Sequence, residues 1–152
     1  MEDRPMIRRR SFLGAAIAAI SFPTLALGQE TNKEKRAMKF RMSFNEQTMT
    51  ATLLDNPSAR ELVSILPLQL TIEDYSTNEK IAYLPRKLTQ VVDQPFDNER
   101  PGDVAYYAPW GNLVFFYDSY RYSKGLIRLG RFDDGFVPLL TRGEFPLQVE
   151  PA

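Results

Sequence analysis

MKFRMSFNEQTMTATLL, residues 38–54, alternates twice with a break between the two runs. Met38, Phe40, Met42 and Phe44 are interleaved with Lys39, Arg41 and Ser43. A period of two belongs to a strand with one face in a core and the other in water. Asn45-Glu46 reads as a tight turn, after which Met49, Ala51 and Leu53 alternate with Thr48, Thr50 and Thr52. The two runs predict a β-hairpin.

Downstream, Asn56-Pro57 starts a short helix of about nine residues: asparagine caps free amides, and proline suits the first helical position. Ala59, Leu62, Val63 and Leu66 fall at helical spacing before Pro67, giving an apolar stripe suited to closing one end of a barrel. Leu68, Leu70 and Ile72 then alternate with Gln69, Thr71 and Glu73 as a third strand. Ile81–Leu84, Val104–Ala108, Leu113–Tyr117, Leu126–Phe132 and Phe145–Val149 are further strands, punctuated by turn residues, and 87–100 reads as a surface loop. Eight short strands and one or two short helices predict a mostly β fold, closed into a barrel that leaves no exposed strand edge.

Composition removes several chemistries. The chain has no cysteine and no histidine, so it offers no thiol nucleophile, imidazole base, Ser-His-Asp triad or ordinary zinc site. No metal and no cofactor is assigned.

Residues 1–28 read as a cleaved secretory leader. Arg9-Arg10-Ser11-Phe12-Leu13 matches the twin-arginine pattern, a modest apolar run follows, and Ala26-Leu27-Gly28 offers small residues at a cleavage site before Gln29. The apolar part is broken by Pro23 and falls short of the roughly 20 residues that span a bilayer. Residues 29–37 form a flexible lead-in and 38–150 the barrel domain. Of the nineteen basic and nineteen acidic groups, the leader takes four and two, which leaves a net charge of −2. Such a domain shows no electrostatic footprint for nucleic acid, or for a membrane once the leader is gone. The expected location is the periplasm or the exterior, with the twin-arginine translocase as partner during export.

DNPSA (55–59), LPLQLTIEDY (66–75), EKIAYLP (79–85), GDVAYYAPWGNL (102–113) and LIRLGR (126–131) together resemble the bacterial cyclophilin-like family. The resemblance runs from about Met38 to Glu150 and implies an eight-stranded cyclophilin-type barrel with short helices. It does not carry over cyclophilin catalysis. The Arg-x-x-Pro-Gly-Phe pattern of cyclophilins is missing, and Arg100-Pro101-Gly102-Asp103 reads as the turn into the next strand.

The remaining candidates are for binding. Tyr106 and Tyr107 face opposite ways on one strand, so one joins the core and its neighbour faces outward. Trp110, the sole tryptophan, stands in an Ala-Pro-Trp-Gly turn, either flooring a groove or tightening that turn. Tyr106, Trp110 and Asn112 are expected to line a ligand groove, with Tyr83, Arg86 and Arg128 as polar candidates. Arg128 and Arg131 lie three apart, so strand alternation aims at most one at a shared pocket. Glu73, Asp74, Glu79 and Lys80 read as surface ion pairs, and Tyr117, Tyr120 and Tyr122 as an exposed run that caps a hairpin or meets a partner. These features predict an exported barrel that binds a small molecule or peptide without catalysis. The alternatives are a peptidyl-prolyl isomerase with a non-standard site, a carboxylate-dependent hydrolase, or a domain that docks on another exported protein.

Overall fold

Asn45 and Glu46 both take positive φ, 46° and 59°, the left-handed pair with which a two-residue turn follows the twist of its strands. On either side of it β1 (Lys39–Phe44) and β2 (Gln47–Leu53) pair antiparallel, with Met42 opposite Met49. The computed structural model describes residues 35–152; the leader over 1–28 and most of the lead-in over 29–37 lie outside the described residues. After the hairpin come α1 (Pro57–Ser64), β3 (Leu68–Tyr75), β4 (Glu79–Tyr83), β5 (Asp103–Tyr107), β6 (Asn112–Phe116), β7 (Leu126–Phe132), a 3-10 turn at Val137–Leu140 and β8 (Phe145–Pro151).

The strands close in the order β1-β2-β7-β5-β6-β4-β3-β8, and β8 returns to β1. Every neighbouring pair is antiparallel. The mostly β, eight-stranded closed barrel expected from the sequence is therefore the fold. Its inward residues include Phe40, Met42, Ile72, Val104, Tyr106, Leu113, Phe115, Leu129 and Leu147, all buried. A barrel of this strand number is just wide enough for side chains to fill.

Both ends are plugged. Asn56 accepts the Ala59 amide at 2.9 Å and donates to the Arg128 carbonyl at 2.9 Å, so the helix cap also fastens α1 to β7. Ala59 and Leu62 are thereby sunk into the core with Leu84 and Leu88. At the other end Leu139 is buried, and Lys80 lies against Asp74 at 2.7 Å with none of its side chain exposed. The surface pairing expected for Lys80 is thus replaced by a buried one. Lys80 sits on the inward face of β4, opposite Phe115 of β6, and Asp74 is also held by the Gly143 amide at 2.7 Å.

Two further expectations change. Val104 of β5 faces Gly130 of β7, but Ala105 faces Arg128, so Leu129 is an extra residue in the ladder. Such a bulge reverses strand parity. Arg128 and Arg131 consequently reach the same side, 3.8 Å and 2.6 Å from the Asp103 carboxylate. The tyrosine run is not exposed either. Tyr117 and Tyr120 are buried: Tyr117 packs with the main core, and Tyr120 joins a second apolar cluster on the outer face of β4, β5, β6 and β7 with Ile81, Ala105, Val114, Phe116 and Leu126.

Gly130 marks the closest approach of β7 to β2. A Cβ there would lie 2.1 Å from the Thr52 carbonyl oxygen and 2.8 Å from the Leu53 Cα. Gly130→Ala is expected to lower unfolding free energy by at least about 1–3 kcal/mol, because backbone must move to admit the methyl. Urea denaturation measures this, and unchanged stability would mean that the two strands stand farther apart.

Candidate functional site

The second apolar cluster needs a cover, and the segments 87–100 and 117–125 supply it through side-chain carboxylates. Asp103, wholly buried, accepts the Tyr120 hydroxyl at 2.6 Å, Arg131 Nε at 2.7 Å and the Arg100 amide at 3.1 Å. Burial, then the bond to Asp103, pushes the Tyr120 phenol upward, so it stays a neutral donor. Asp93 accepts the Tyr122 hydroxyl at 2.6 Å and the Gly125 amide at 2.9 Å. Glu61 on α1 gathers Arg86, the Thr89 amide and hydroxyl, and the Gln90 amide. Burial alone would raise the Glu61 pKa, but these donors together bring it down to about 2. The stretch read as a surface loop is therefore strapped at several points.

Beside the covered region the outer faces of β4 and β6 open into a cleft of about 380 Å³, within the usual range for small-ligand sites. One wall is aromatic. Trp110 is held in the β5–β6 turn, where its amide donates to the Tyr107 carbonyl at 3.2 Å and the next residue, Gly111, takes φ +74°. Its ring meets Tyr107 edge-on at 5.3 Å and Tyr75, from the end of β3, edge-on at 5.4 Å. Trp110 remains 46% exposed and Tyr75 42% exposed, a wet aromatic trio of the kind that offers large contact area.

The other wall is polar and unfinished. Asn112 opens β6 with 1% of its surface exposed. Its Nδ2 donates to the Leu113 carbonyl at 3.1 Å, which fixes the amide orientation because a carbonyl accepts only a donor. Its Oδ1 is buried without a partner, a condition that costs about 1–3 kcal/mol. Glu79 opens β4 opposite Phe116 and Tyr75. Among the described residues it has no hydrogen-bond or ion-pair partner, and burial raises its pKa to about 7. Arg121 stands exposed on the same cleft.

Of the six residues expected from the sequence, the structure brings only Trp110 and Asn112 together. Tyr106 cannot line a groove: it is completely buried, and its hydroxyl accepts the Leu88 amide at 3.0 Å. Tyr83 pairs with Asn112 across the strands, yet it lines a separate groove of about 640 Å³ with Phe44, Leu70 and Pro146. Arg86 is occupied by Glu61 at 2.7 Å. Arg128 stacks 4.5 Å over Phe96 and borders a hollow of about 560 Å³ beside the start of α1. Neither of those larger hollows holds a buried polar side-chain atom without a partner among the described residues. Glu79, Tyr75 and Tyr107 complete the cleft. Glu79 gave no signal of its own in the sequence: its partial burial follows from the pairing of β4 with β6, which residue spacing does not reveal. Among the described residues no cluster of acidic side chains suits a metal ion.

A sequence model of the cyclophilin-like family matches residues 42–150. No curated protein matches the chain. Among solved structures, the solution structure of a hypothetical protein from Archaeoglobus fulgidus aligns at a TM-score of 0.57 with 18% identity, over 76% of this chain and 95% of that one. At that identity the likeness speaks for the fold alone.

The Glu79 carboxyl makes a pH signature. Its folded pKa of about 7 exceeds the ordinary 4.5, so the folded state holds the proton more tightly. The stabilisation is full below pH 4.5 and is lost as pH rises through 7. Glu61, with its value lowered to about 2, works in the opposite sense and in a more acid window. Glu79→Gln is therefore expected to raise the melting temperature at pH 8 more than at pH 5. Equal shifts at both pH values would place Glu79 in solvent.

Proposed function

The chain belongs to the cyclophilin-like family, and from that premise we propose that it is a binding module which takes a small molecule or a peptide segment into the Trp110 cleft without carrying out catalysis. The observation that supports this most is the exposed aromatic wall of the cleft, in which Trp110 meets Tyr75 and Tyr107 edge-on while Trp110 and Tyr75 stay 46% and 42% exposed. Large aromatic rings are ordinarily spent on core burial, and a group of them left open around a cavity calls for an explanation. A ligand that covers them is one.

The cleft also has the make-up of a recognition site. Exposed aromatics give contact area with few rotatable bonds, and a small number of polar groups set orientation. Residues 9–13 and 26–28 support delivery of the domain to the periplasm or exterior by the twin-arginine route, where its ligand would be met.

Trp110 is the sole tryptophan, so its fluorescence reports on the cleft directly. Screening peptides and small molecules against the domain is expected to give hits that shift this emission and that lose affinity about tenfold in Trp110→Ala, as for a central aromatic contact. Hits that leave the emission unchanged and map to the Tyr83 groove would overturn the assignment. For export, the mature protein is expected in the periplasm with Gln29 as its first residue, and Arg9→Lys with Arg10→Lys is expected to retain it in the cytoplasm. Amino-terminal sequencing of the fractionated protein decides, and an intact Met1 in the periplasm would count against the leader.

A further inference from the structure

We propose that the region between β2, β7 and the segment 92–98 is a second binding site, and that it takes a small organic carboxylate, its head on the guanidinium groups of Arg128 and Arg131 and its apolar body against Leu54 and Val92. Arg128 borders two adjoining hollows there, one of about 330 Å³ shared with Arg131 and Asn98 and one of about 560 Å³ shared with Val92 and Phe96. Leu54 borders both, no residue that lines either is acidic, and neither shares a lining residue with the Trp110 cleft. The two arginines stand side by side because the bulge at Leu129 brings both to Asp103. That carboxylate has no capacity left for Arg128. Its Oδ1 takes Arg131 Nε at 2.7 Å and Nη2 at 2.6 Å, and its Oδ2 takes the Tyr120 hydroxyl at 2.6 Å and the Arg100 amide at 3.1 Å. Arg128 stays 3.8 Å from Oδ2, outside hydrogen-bond reach. One long bond to the Asn98 carbonyl, at 3.4 Å, is all that its guanidinium donates among the described residues. Phe96, 4.5 Å away, holds the group in place without accepting a hydrogen bond along its edge. The idle nitrogens are open to solvent: no nitrogen of either arginine is buried without a partner, and the side chains are 16% and 32% exposed.

Charge selects the head group. Two guanidinium groups against one buried carboxylate leave a single positive charge, and the neighbouring acids are engaged elsewhere. Asp133, which accepts the Thr52 hydroxyl, pairs with Lys39 at 2.8 Å. Asp55 pairs with Lys35 and Arg60, and Glu99 accepts the Tyr122 amide and lines a different hollow beside Arg121. A monoanion completes the balance, whereas a phosphate dianion overshoots it and a cation is repelled. A carboxylate also matches the guanidinium fork, since it accepts parallel N–H bonds on its two oxygens. The apolar body follows from the other end of the site. Leu54 and Val92 are 46% and 58% exposed, both line the larger hollow, and a hydrocarbon chain carried by the carboxylate covers them.

The experiment titrates the purified protein with hexanoate, hexanamide, acetate and hexyl phosphate by calorimetry, and follows amide and indole resonances by heteronuclear NMR. Hexanoate is expected to bind and to shift the Asn98 and Gly130 amides while the Trp110 indole stays unmoved. Hexanamide, which lacks the charge, and acetate, which lacks the body, are each expected to bind at least about tenfold more weakly. Hexyl phosphate is expected to bind no tighter than hexanoate. Arg128→Gln is expected to reduce hexanoate affinity about tenfold or more, as for loss of a charge-assisted hydrogen bond. Leu54→Asp, at an exposed position, is expected to do the same and decides the matter if Arg128→Gln fails to fold. Val92→Ser is expected to weaken hexanoate and leave acetate unchanged. No heat or shift with hexanoate, hexanamide bound as tightly as hexanoate, tighter binding of hexyl phosphate, or affinity indifferent to both Arg128→Gln and Leu54→Asp each overturns the proposal. Shifts confined to the Trp110 indole overturn it as well, by placing the carboxylate in the other cleft.

Discussion

A closed barrel of eight strands has room inside for its own side chains and little else, and the rest of this molecule follows from that constraint. Phe40, Phe115, Tyr106 and their neighbours fill the cylinder with no exposed surface. One end is stopped by Ala59 and Leu62 of the helix and the other by Leu139 and the Lys80–Asp74 pair. Even the polar atoms inside are spent on structure, since the Tyr106 hydroxyl secures Leu88. Any contact beyond the core is thereby left to the outer faces of the strands, where alternation turns one side chain in two away from the barrel interior.

Those outer faces are not equivalent. On β1 and β2 they carry Lys39, Arg41, Thr50 and Thr52, as a wet sheet face should. On β5 and β6 they are apolar and covered, so nearly every residue of Asp103–Tyr107 and Asn112–Phe116 is buried. The cover is irregular chain, which cannot satisfy its own backbone and is held instead by carboxylates placed to receive amide hydrogens. Glu61, Asp93, Glu99 and Asp103 all serve this purpose. Asp103 goes further, with its charge matched by Arg131 and Arg128. A buried acid with donors on both oxygens is costly to disturb, because loss of one partner leaves the charge unpaired.

The fold was legible because its signals are local. Alternation in 38–54, the Asn56-Pro57 helix start and the turns between strands each report on a few adjacent residues, and all eight strands appear where they predict. The candidate cleft was half legible. Trp110 and Asn112 announce themselves by residue type and lie together, whereas Tyr83, Arg86 and Arg128 were drawn in by nearness to the same motifs and are separated by the barrel's curvature and by partners such as Glu61. The Arg128–Arg131 geometry was out of reach, since one bulge residue, Leu129, inverts the parity on which the argument rested. Lys80 failed for a related reason. A charged residue inside a barrel is rare, and only the pairing of β4 with β3 shows that Asp74 waits there to receive it.

What sets the Trp110 cleft apart is a contrast in how acids are treated on one surface. Glu61 and Asp93 accept two donors or more each, and Asp103 three. At the start of β4 Glu79 has none among the described residues, and at the start of β6 the buried Asn112 Oδ1 also lacks one. The second apolar cluster lies beside both, through Phe116 and Val114, so an aliphatic side chain at either position would extend that cluster and remove an unfavourable burial. Packing alone gives no reason for a half-buried acid without a partner at the rim of an aromatic cleft, and under the binding reading proposed above part of the stability it forgoes in the free protein would return as affinity.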